Sequence, residues 1–259
     1  MDNGQSNYAV YAQQKVNGIR ETFFRSHMFL AICILETLVA VFSVVTLLIG
    51  LFSLFSFLAI EELFPVPEEL DISFLIGLEG VSLGLLGINT IMWGISTVGA
   101  WQLYSATGCR FDEAAWKKFK VLFVHLATEG ALLAIGCVAV GAYMIFQLLA
   151  TPGLMIALLA VAAVSVFLLV LPFYHMYQYL NTLPITFRTG MAPCEKIPFV
   201  GLMVYGICCA VLELVMFVFL ESLEVRIGFF MGLSSIVNPM LFILLPLFFY
   251  KLHVELTKL

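Results

Sequence analysis

The chain has 259 residues, of which 62% are hydrophobic and 11% are charged, and its formal net charge is −5. An ordinary soluble domain is about 45–50% apolar and about 25% charged, so this composition excludes a water-soluble globule. It also excludes a disordered chain, which is poor in aromatic residues, and the absence of a basic block argues against nucleic-acid binding. The composition predicts a multi-pass membrane protein with a single transmembrane domain over 1–259.

The first segment, 8–24, has the pattern of an amphipathic helix. Its apolar residues recur at helical spacing and are Tyr8, Tyr11, Ala12, Val16, Ile19 and Phe23. Such a helix is predicted to lie on the inner membrane surface before the first span. The alternative is a frayed polar tail. Residues 1–20 do not resemble a signal peptide, so we expect the mature chain to begin at Met1.

Six apolar runs are long enough to cross the hydrocarbon core, which takes roughly 20 helical residues. They lie at about 28–60, 72–105, 121–150, 153–180, 198–220 and 227–250. Short polar segments rich in charged residues, proline or glycine separate them. The sequence therefore predicts an all-α fold, a bundle of six transmembrane helices preceded by the interfacial helix.

The basic residues predict how this bundle is oriented. With the N-terminus inside, all of the 12 Lys and Arg residues except Arg226 fall on the cytoplasmic side. Positive charge is retained on that side during membrane insertion. We therefore expect both termini in the cytoplasm, and the compact loops favour a bacterial plasma membrane.

The three even-numbered spans end in similar aromatic and polar segments. These are WQLY (101–104), YQYL (177–180) and YKLH (250–253). One explanation is three helical hairpins that arose by duplication. The other is an aromatic belt, which enriches Trp and Tyr at membrane interfaces whatever the ancestry. The sequence leaves both open.

The second span carries a stripe of glycines at spacings of three and four residues. They are Gly77, Gly80, Gly84 and Gly87. Residues at this spacing share one helix face, and small side chains let a neighbouring backbone approach closely. The stripe therefore predicts helix packing rather than a ligand site.

Four glutamates lie within the spans, flanked by apolar residues: Glu36, Glu79, Glu129 and Glu213. At about 1.5 Å per residue, Glu36 and Glu129 lie roughly 10–12 Å from the inner face, whereas Glu79 and Glu213 lie in the outer half. No Lys or Arg lies in any span to neutralise them. Because an ionised carboxylate at such depth is costly, at least some of these groups are expected to be protonated.

His125 precedes Glu129 by four residues, so the two share a face of the third span. Together with Glu36 they predict a site in the inner half that relays a proton or holds a cation. The alternative is a set of hydrogen bonds between neutral side chains that only fixes helix packing. The chain has no C-x-x-C pair, HExxH motif or Walker A loop, so no catalytic residue, resident metal or cofactor is expected.

Three functions fit these patterns, and enzymatic activity is not expected. The first is a small transporter or channel that uses the intramembrane glutamates for a proton or cation. The second is a non-catalytic membrane subunit, such as the permease half of an ABC-type exporter driven by a cytoplasmic ATPase. The segment RETFFRSHMFL (20–30) is similar to the start of such permeases. The third is a membrane interaction protein without transport activity. The implied partners are the lipid bilayer and either a cytoplasmic ATPase or another membrane subunit.

Overall fold

A computed structural model of the chain describes residues 3–63, 72–106, 111–128, 131, 152–193, 195–222 and 229–258. These residues form seven helices and contain no strand, which confirms the all-α class. The helices are α1 (Asn3–Phe24), α2 (His27–Leu63), α3 (Ile72–Ser105), α4 (113–128), α5 (Pro152–Thr189), α6 (Phe199–Ser222) and α7 (Phe229–Leu256). Each predicted apolar run overlaps one of the helices α2 to α7.

Within the described part of the chain, three helical segments are long and apolar enough to cross a membrane. They are His27–Ser56, Gly80–Ser105 and Ile236–Leu256, with 30, 26 and 21 residues. Even the shortest spans about 30 Å at about 1.5 Å per residue, which matches the hydrocarbon core. These helices are those of a membrane-associated protein, while the count of six spans stays a prediction.

Side-chain and backbone caps set where several helices begin and end. The Ser26 hydroxyl accepts a 3.2 Å hydrogen bond from the Phe29 amide at the start of α2. The Asp112 carboxylate accepts two bonds at the start of α4, from the amides of Ala114 at 2.9 Å and Ala115 at 3.0 Å. Helix α5 ends at Gly190, whose φ of 73° is a left-handed conformation that glycine adopts without steric cost. These residues satisfy backbone groups that helix ends would leave unpaired.

Two antiparallel hairpins, α2–α3 and α6–α7, form most of the bundle, and α7 also packs against α2. In the first hairpin, a Cβ on Gly50 of α2 would lie 2.5 Å from a methyl group of Leu83 in α3. In the second hairpin, the rings of Phe199 and Tyr250 lie 4.5 Å apart between centroids. The glycine approach and the ring contact bring the two helices of each hairpin together along their length.

Helix α1 packs across one end of the bundle, where it contacts α5, α7 and α2; we call this the α1 end. Phe24 lies edge-to-face with four other rings, with centroid distances between 4.9 and 6.3 Å. Val16 is fully buried, and Ile19 and Phe23 pack against the same core, whereas Tyr11 is 66% exposed. A helix therefore covers the predicted segment, and several of its apolar residues face protein, while its amphipathic character stays a prediction. Its position on a membrane surface stays a prediction.

Side chains of α1 also bind the C-terminal ends of two other helices. The Gln13 amide donates to the main-chain oxygen of Phe187 in α5 at 3.1 Å, and the Lys15 ammonium donates to the main-chain oxygen of Lys258 at 3.2 Å. The last carbonyls of a helix have no partner within it, so Gln13 satisfies an acceptor of α5 that would otherwise need water, while Lys15 bonds a carbonyl two residues beyond the end of α7. Gly190 lets α1 approach, since a Cβ there would lie 3.2 Å from Ala12.

Proline 184 interrupts the hydrogen bonding of α5, and α4 compensates for it. Because proline has no N–H, the carbonyl of Leu180, four residues earlier, loses its helical donor. The Trp116 indole N–H of α4 donates to that carbonyl at 2.9 Å, and the contact is buried. The interruption in α5 therefore becomes a link between two helices.

Two further prolines, Pro172 in α5 and Pro246 in α7, lie where glycines of α6 allow close packing. Pro246 leaves the Phe242 carbonyl of α7 without its helical donor, and a Cβ on Gly206 would lie 2.9 Å from that oxygen. A Cβ on Gly201 would lie 3.0 Å from the ring of Pro172 in α5. Helix α6 thus approaches its neighbours closely at the points where prolines interrupt them.

The predicted glycine stripe lies on α3 but meets no neighbour in the described part of the chain. A Cβ added at Gly77, Gly80, Gly84 or Gly87 finds no atom of the described residues within 4 Å. The close approach on α3 occurs instead at Gly99, where a Cβ would lie 2.5 Å from the Phe119 nitrogen and 2.8 Å from the Ala115 oxygen. The packing role of the stripe stays a prediction, and Gly99 is the glycine that admits α4.

The similar segments WQLY and YKLH lie near the ends of α3 and α7, whereas YQYL lies inside α5, and all three share one feature of burial. Their third residues, Leu103, Tyr179 and Leu252, are at most 5% exposed. Their first residues include Trp101 and Tyr250, which are 38% and 44% exposed. An aromatic belt accounts for the exposed rings but not for Tyr179, which faces the core. The duplication of hairpins and the aromatic belt both stay predictions.

Candidate proton site around Glu36

Glu36 lies on the buried face of α2. The fully buried positions Ile32, Cys33 and Glu36 and the 6%-exposed Val39 recur at spacings of one, three and three residues, the pattern of one helix face. An apolar residue would be expected at each position on such a face. Glu36 is nevertheless 0% exposed, so its carboxyl group is enclosed by the bundle.

The polar side chain that contacts the Glu36 carboxyl is Ser96 of α3. Its hydroxyl oxygen lies 3.3 Å from Oε2 of Glu36 and 3.3 Å from the main-chain oxygen of Phe119 in α4. Ser96 is itself fully buried. Oε1 of Glu36 is buried and has no hydrogen-bond partner among the described residues. The carboxyl group therefore has a polar environment on one oxygen only.

Helix α3 holds the backbone of α2 on both sides of this carboxyl group. The Thr97 hydroxyl donates to its own helix at 2.8 Å and lies 3.3 Å from the main-chain oxygen of Glu36. One turn further along α3, the Trp101 indole N–H donates to the Thr37 hydroxyl at 2.9 Å. Interhelical polar contacts of this kind contribute about 0.6–2 kcal/mol in membrane proteins. They fix the position from which the Glu36 side chain projects.

His125 contacts Asn89 rather than Ser96, at a different level of the bundle. Nε2 of His125 lies 3.0 Å from Oδ1 of Asn89. Asn89 precedes Ser96 by seven residues, or about 10.5 Å along α3, and shares its face. Trp93, which is 4% exposed, lies between the two polar positions. His125 and Glu36 are therefore both held by α3 but about two turns apart.

This difference in level follows from where α4 begins. Its helical stretch starts at 113, whereas the predicted span starts at 121. Counting from 121 therefore omits about two turns of α4 that precede His125. In the structure, His125 lies farther from the α1 end than Glu36 does, since α4 runs away from that end.

The remaining predicted acids fall outside the described side chains. Glu129 lies outside the described residues altogether, and Glu79 and Glu213 lie on α3 and α6 with side chains that are not among those described. Their roles, and the joining of Glu129 with Glu36 and His125, stay predictions.

Two polar residues of the site were not singled out from the sequence. Asn89 had a usable signal, because an amide in an apolar span needs a hydrogen-bond partner. Ser96 had none, since a serine in an apolar helix commonly bonds the carbonyl of its own preceding turn. Its contact with Glu36 depends on which face of α3 meets α2, and only the structure gives that.

The charge of Glu36 has no basic partner within the described part of the chain. Its polar contacts there are with Ser96 and Thr97, and the buried Cys33 thiol lies one turn earlier on α2. The described residues also contain no cluster of three His, Cys, Asp or Glu side chains able to hold a metal ion.

Comparison with models of known protein families, with curated protein sequences and with solved protein structures found no match to this chain. The chemistry of the buried side chains is therefore the basis for a functional proposal. A carboxyl group enclosed in a membrane helix bundle can take up and release a proton when the bundle gives it access to water.

Proposed function

We propose that the protein is a small membrane transporter or channel in which Glu36 exchanges a proton. The observation that carries this proposal is the complete burial of Glu36, with Oε1 unpaired and no basic contact among the described residues. A buried acid is costly to keep in a membrane segment, and such residues mark ion pathways and proton relays. A purely structural role would be served as well by a glutamine.

The architecture that we propose with this function is a six-span bundle in a plasma membrane, with both termini in the cytoplasm. The helices α4, α5 and α6 support it, because they overlap the three predicted runs that are not among the candidate spans of the described residues. The α1 end then faces the cytoplasm. In this orientation α1 lies at the level of the inner membrane surface, and no enzymatic activity is involved.

The contact between His125 and Asn89 supports a continuation of the proton path away from the α1 end. Both residues lie about two turns beyond Glu36, Asn89 on α3 and His125 on α4. An imidazole can accept a proton on one nitrogen and release it from the other. We propose that Glu36 receives protons from the cytoplasmic side and that His125 communicates with the opposite side.

Proton flux through purified protein tests the proposal directly. Liposomes that contain the protein and a pH-sensitive dye would be given a potassium diffusion potential with valinomycin. We expect faster acidification than in empty liposomes, loss of that flux in Glu36→Gln, and no change in Glu255→Gln. Glu255 is the matched control, because it is a partly exposed acid paired with Lys258.

Two results would contradict the proposal, and they differ in what they contradict. Wild-type protein that moves neither protons nor Na⁺ faster than empty liposomes would argue against transport altogether. Normal flux in Glu36→Gln would still support transport by the protein but would exclude Glu36 as the proton-exchanging group.

A second candidate function is a non-catalytic membrane subunit that binds a cytoplasmic ATPase. The observation that favours it is the outer side of α1, where Val10 and Tyr11 are 55% and 66% exposed although the helix is held on the bundle. A subunit on the cytoplasmic side would cover these side chains. Purification from native membranes tests it: an ATPase that co-purifies with the wild type and is lost with Tyr11→Ser would favour this function over autonomous transport.

A further inference from the structure

The Ser96 hydroxyl group lies within hydrogen-bond distance of two acceptors but carries a single hydrogen. Its oxygen is 3.3 Å from Oε2 of Glu36 and 3.3 Å from the main-chain oxygen of Phe119. An ionised carboxylate and a carbonyl are both acceptors only, so one of them would have to go without the hydrogen. A protonated carboxyl group removes the conflict, because it brings a hydrogen of its own.

We propose that Ser96 is the positioning residue for the proton on Glu36. In the protonated state, the O–H on Oε2 donates to the Ser96 oxygen, and the Ser96 hydroxyl donates to the Phe119 carbonyl. When Glu36 releases its proton to water, the Ser96 hydrogen turns to the carboxylate and the Phe119 carbonyl loses that donor. The only covalent bond of the protein formed or broken is the O–H bond of Glu36, whose proton passes to water. This inference rests on the proposed function and specifies how the proton is held.

The approach of α4 to α3 is what makes the Phe119 carbonyl available. Gly99 lies one turn from Ser96, and a Cβ there would come within 2.5 Å of the Phe119 nitrogen. Without a side chain at Gly99, the backbone of α4 lies directly against α3 and a main-chain oxygen reaches the serine. The protonated state therefore links α2, α3 and α4 through one chain of hydrogen bonds, and the ionised state links only α2 and α3.

Few other charged or titratable groups compete for this proton. On α2 itself, the nearest is the Cys33 thiol. Helix α1 contributes Arg20, which lines a cavity of about 30 Å³ together with Leu103, two turns from Ser96. At the level of Glu36, the described buried positions of α3, α4 and α7 are uncharged, and those of α7 are the apolar residues Leu241, Phe242 and Leu245. The hydroxyl of Ser96 is thus the local control on the Glu36 proton.

Infrared difference spectroscopy tests this inference without requiring transport. The protein in liposomes would be titrated with alkali while the C=O stretching band of protonated carboxyl groups is recorded. A band that is lost on titration and is missing in Glu36→Gln reports the Glu36 proton. In Ser96→Ala the band should move to higher frequency, because the acid loses its hydrogen-bond acceptor, and Ser96→Thr should restore the wild-type frequency.

Ser56→Ala serves as the matched control, because the Ser56 hydroxyl bonds only its own helix, to the Phe52 oxygen at 2.8 Å. Its band should be that of the wild type. An unchanged frequency in a folded Ser96→Ala variant would overturn the role of Ser96 and leave the proposed function in place. The absence of any Glu36-dependent band at every pH would contradict the proposed function itself. If Ser96→Ala fails to fold, Ser96→Cys replaces it, because a thiol forms weaker hydrogen bonds than a hydroxyl group. The band should again move to higher frequency, and an unchanged frequency would overturn the role of Ser96.

Discussion

The indole N–H of Trp116 donates to the main-chain oxygen of Leu180, the carbonyl that Pro184 leaves without a helical donor. A proline inside a helix costs about 3 kcal/mol or more when nothing compensates for the lost bond. Here the compensation comes from a different helix, so the interruption in α5 specifies which side of α5 packs against α4. This relationship can be tested apart from any function.

Replacing Trp116 with Phe should destabilise the protein by more than the loss of ring area alone. The substitution leaves the buried Leu180 carbonyl unpaired, which costs about 1–3 kcal/mol. Thermal unfolding in detergent, followed by circular dichroism, should show a lower midpoint than in the wild type.

The substitution Pro184→Ala provides the decisive control for Trp116→Phe. Alanine restores the N–H that Leu180 lacks, so the same Trp116→Phe change should cost less in the Pro184→Ala background. We expect a coupling of about 0.5–3 kcal/mol in this double-mutant cycle. Strict additivity of the two substitutions would contradict the compensation.

Gly99→Ala should weaken the bundle, whereas Gly84→Ala should not. A Cβ at Gly99 would collide with backbone atoms of α4, which cannot move without shifting the helix, and overpacking of this kind costs about 1–3 kcal/mol. At Gly84 no described atom lies within 4 Å, so alanine should be neutral or stabilise α3 by about 0.5–1 kcal/mol. Unfolding midpoints of the two variants give the comparison. A loss of stability in Gly84→Ala would instead support the predicted packing of the glycine stripe.

The ion pair between Arg188 and Glu113, which joins α5 to α4, should contribute little. Its side chains are 62% and 44% exposed, and pairs this accessible to solvent contribute about 0–1 kcal/mol. Arg188→Gln and Glu113→Gln should therefore shift the unfolding midpoint only slightly, and high salt should remove the shift. A large, salt-independent effect would show that Arg188 has a further role.

Thiol labelling of whole cells tests the predicted orientation. In a background without the native cysteines, Val66→Cys should react with an impermeant reagent and Met191→Cys should not. Met191 is 71% exposed and suits a probe, whereas the neighbouring Gly190 is buried against α1 with a positive φ and would be strained by a side chain. The opposite labelling pattern would reverse the topology and the proposed direction of proton entry.

The positions of the helices could be predicted well from the sequence, because charged residues, proline and glycine mark the interruptions between apolar runs. The predicted run 72–105 and the helix Ile72–Ser105 coincide, for example. The start of α4 could not be predicted, because Trp116 and Phe119 lie among lysines in a segment with the pattern of a polar loop. The Asp112 cap and burial of those rings in the aromatic core make 113–120 helical.

The candidate site was predictable only in part for a related reason. A glutamate in an apolar run is conspicuous, so Glu36 could be identified by type alone. The hydrogen-bond partner of Glu36 could not be identified. Whether His125 or Ser96 reaches the carboxyl group depends on the rotation of the helices and on where α4 begins. The glycines illustrate the same limit: spacing marks Gly84 as part of a stripe, while contact is made at Gly99.

The docking of α1 has a consequence for the order of biosynthesis. Gln13 and Lys15 bind helix ends that lie 174 and 243 residues further along the chain. At about 5–20 residues per second, the ribosome needs roughly 10–50 s to produce those ends after α1 has emerged. During that interval α1 lacks the surfaces of α5 and α7 that it packs against, and the membrane surface is the nearest apolar phase. The surface-bound helix that the sequence predicts and the bundle-docked helix of the structure are therefore expected as successive states of the same nascent segment.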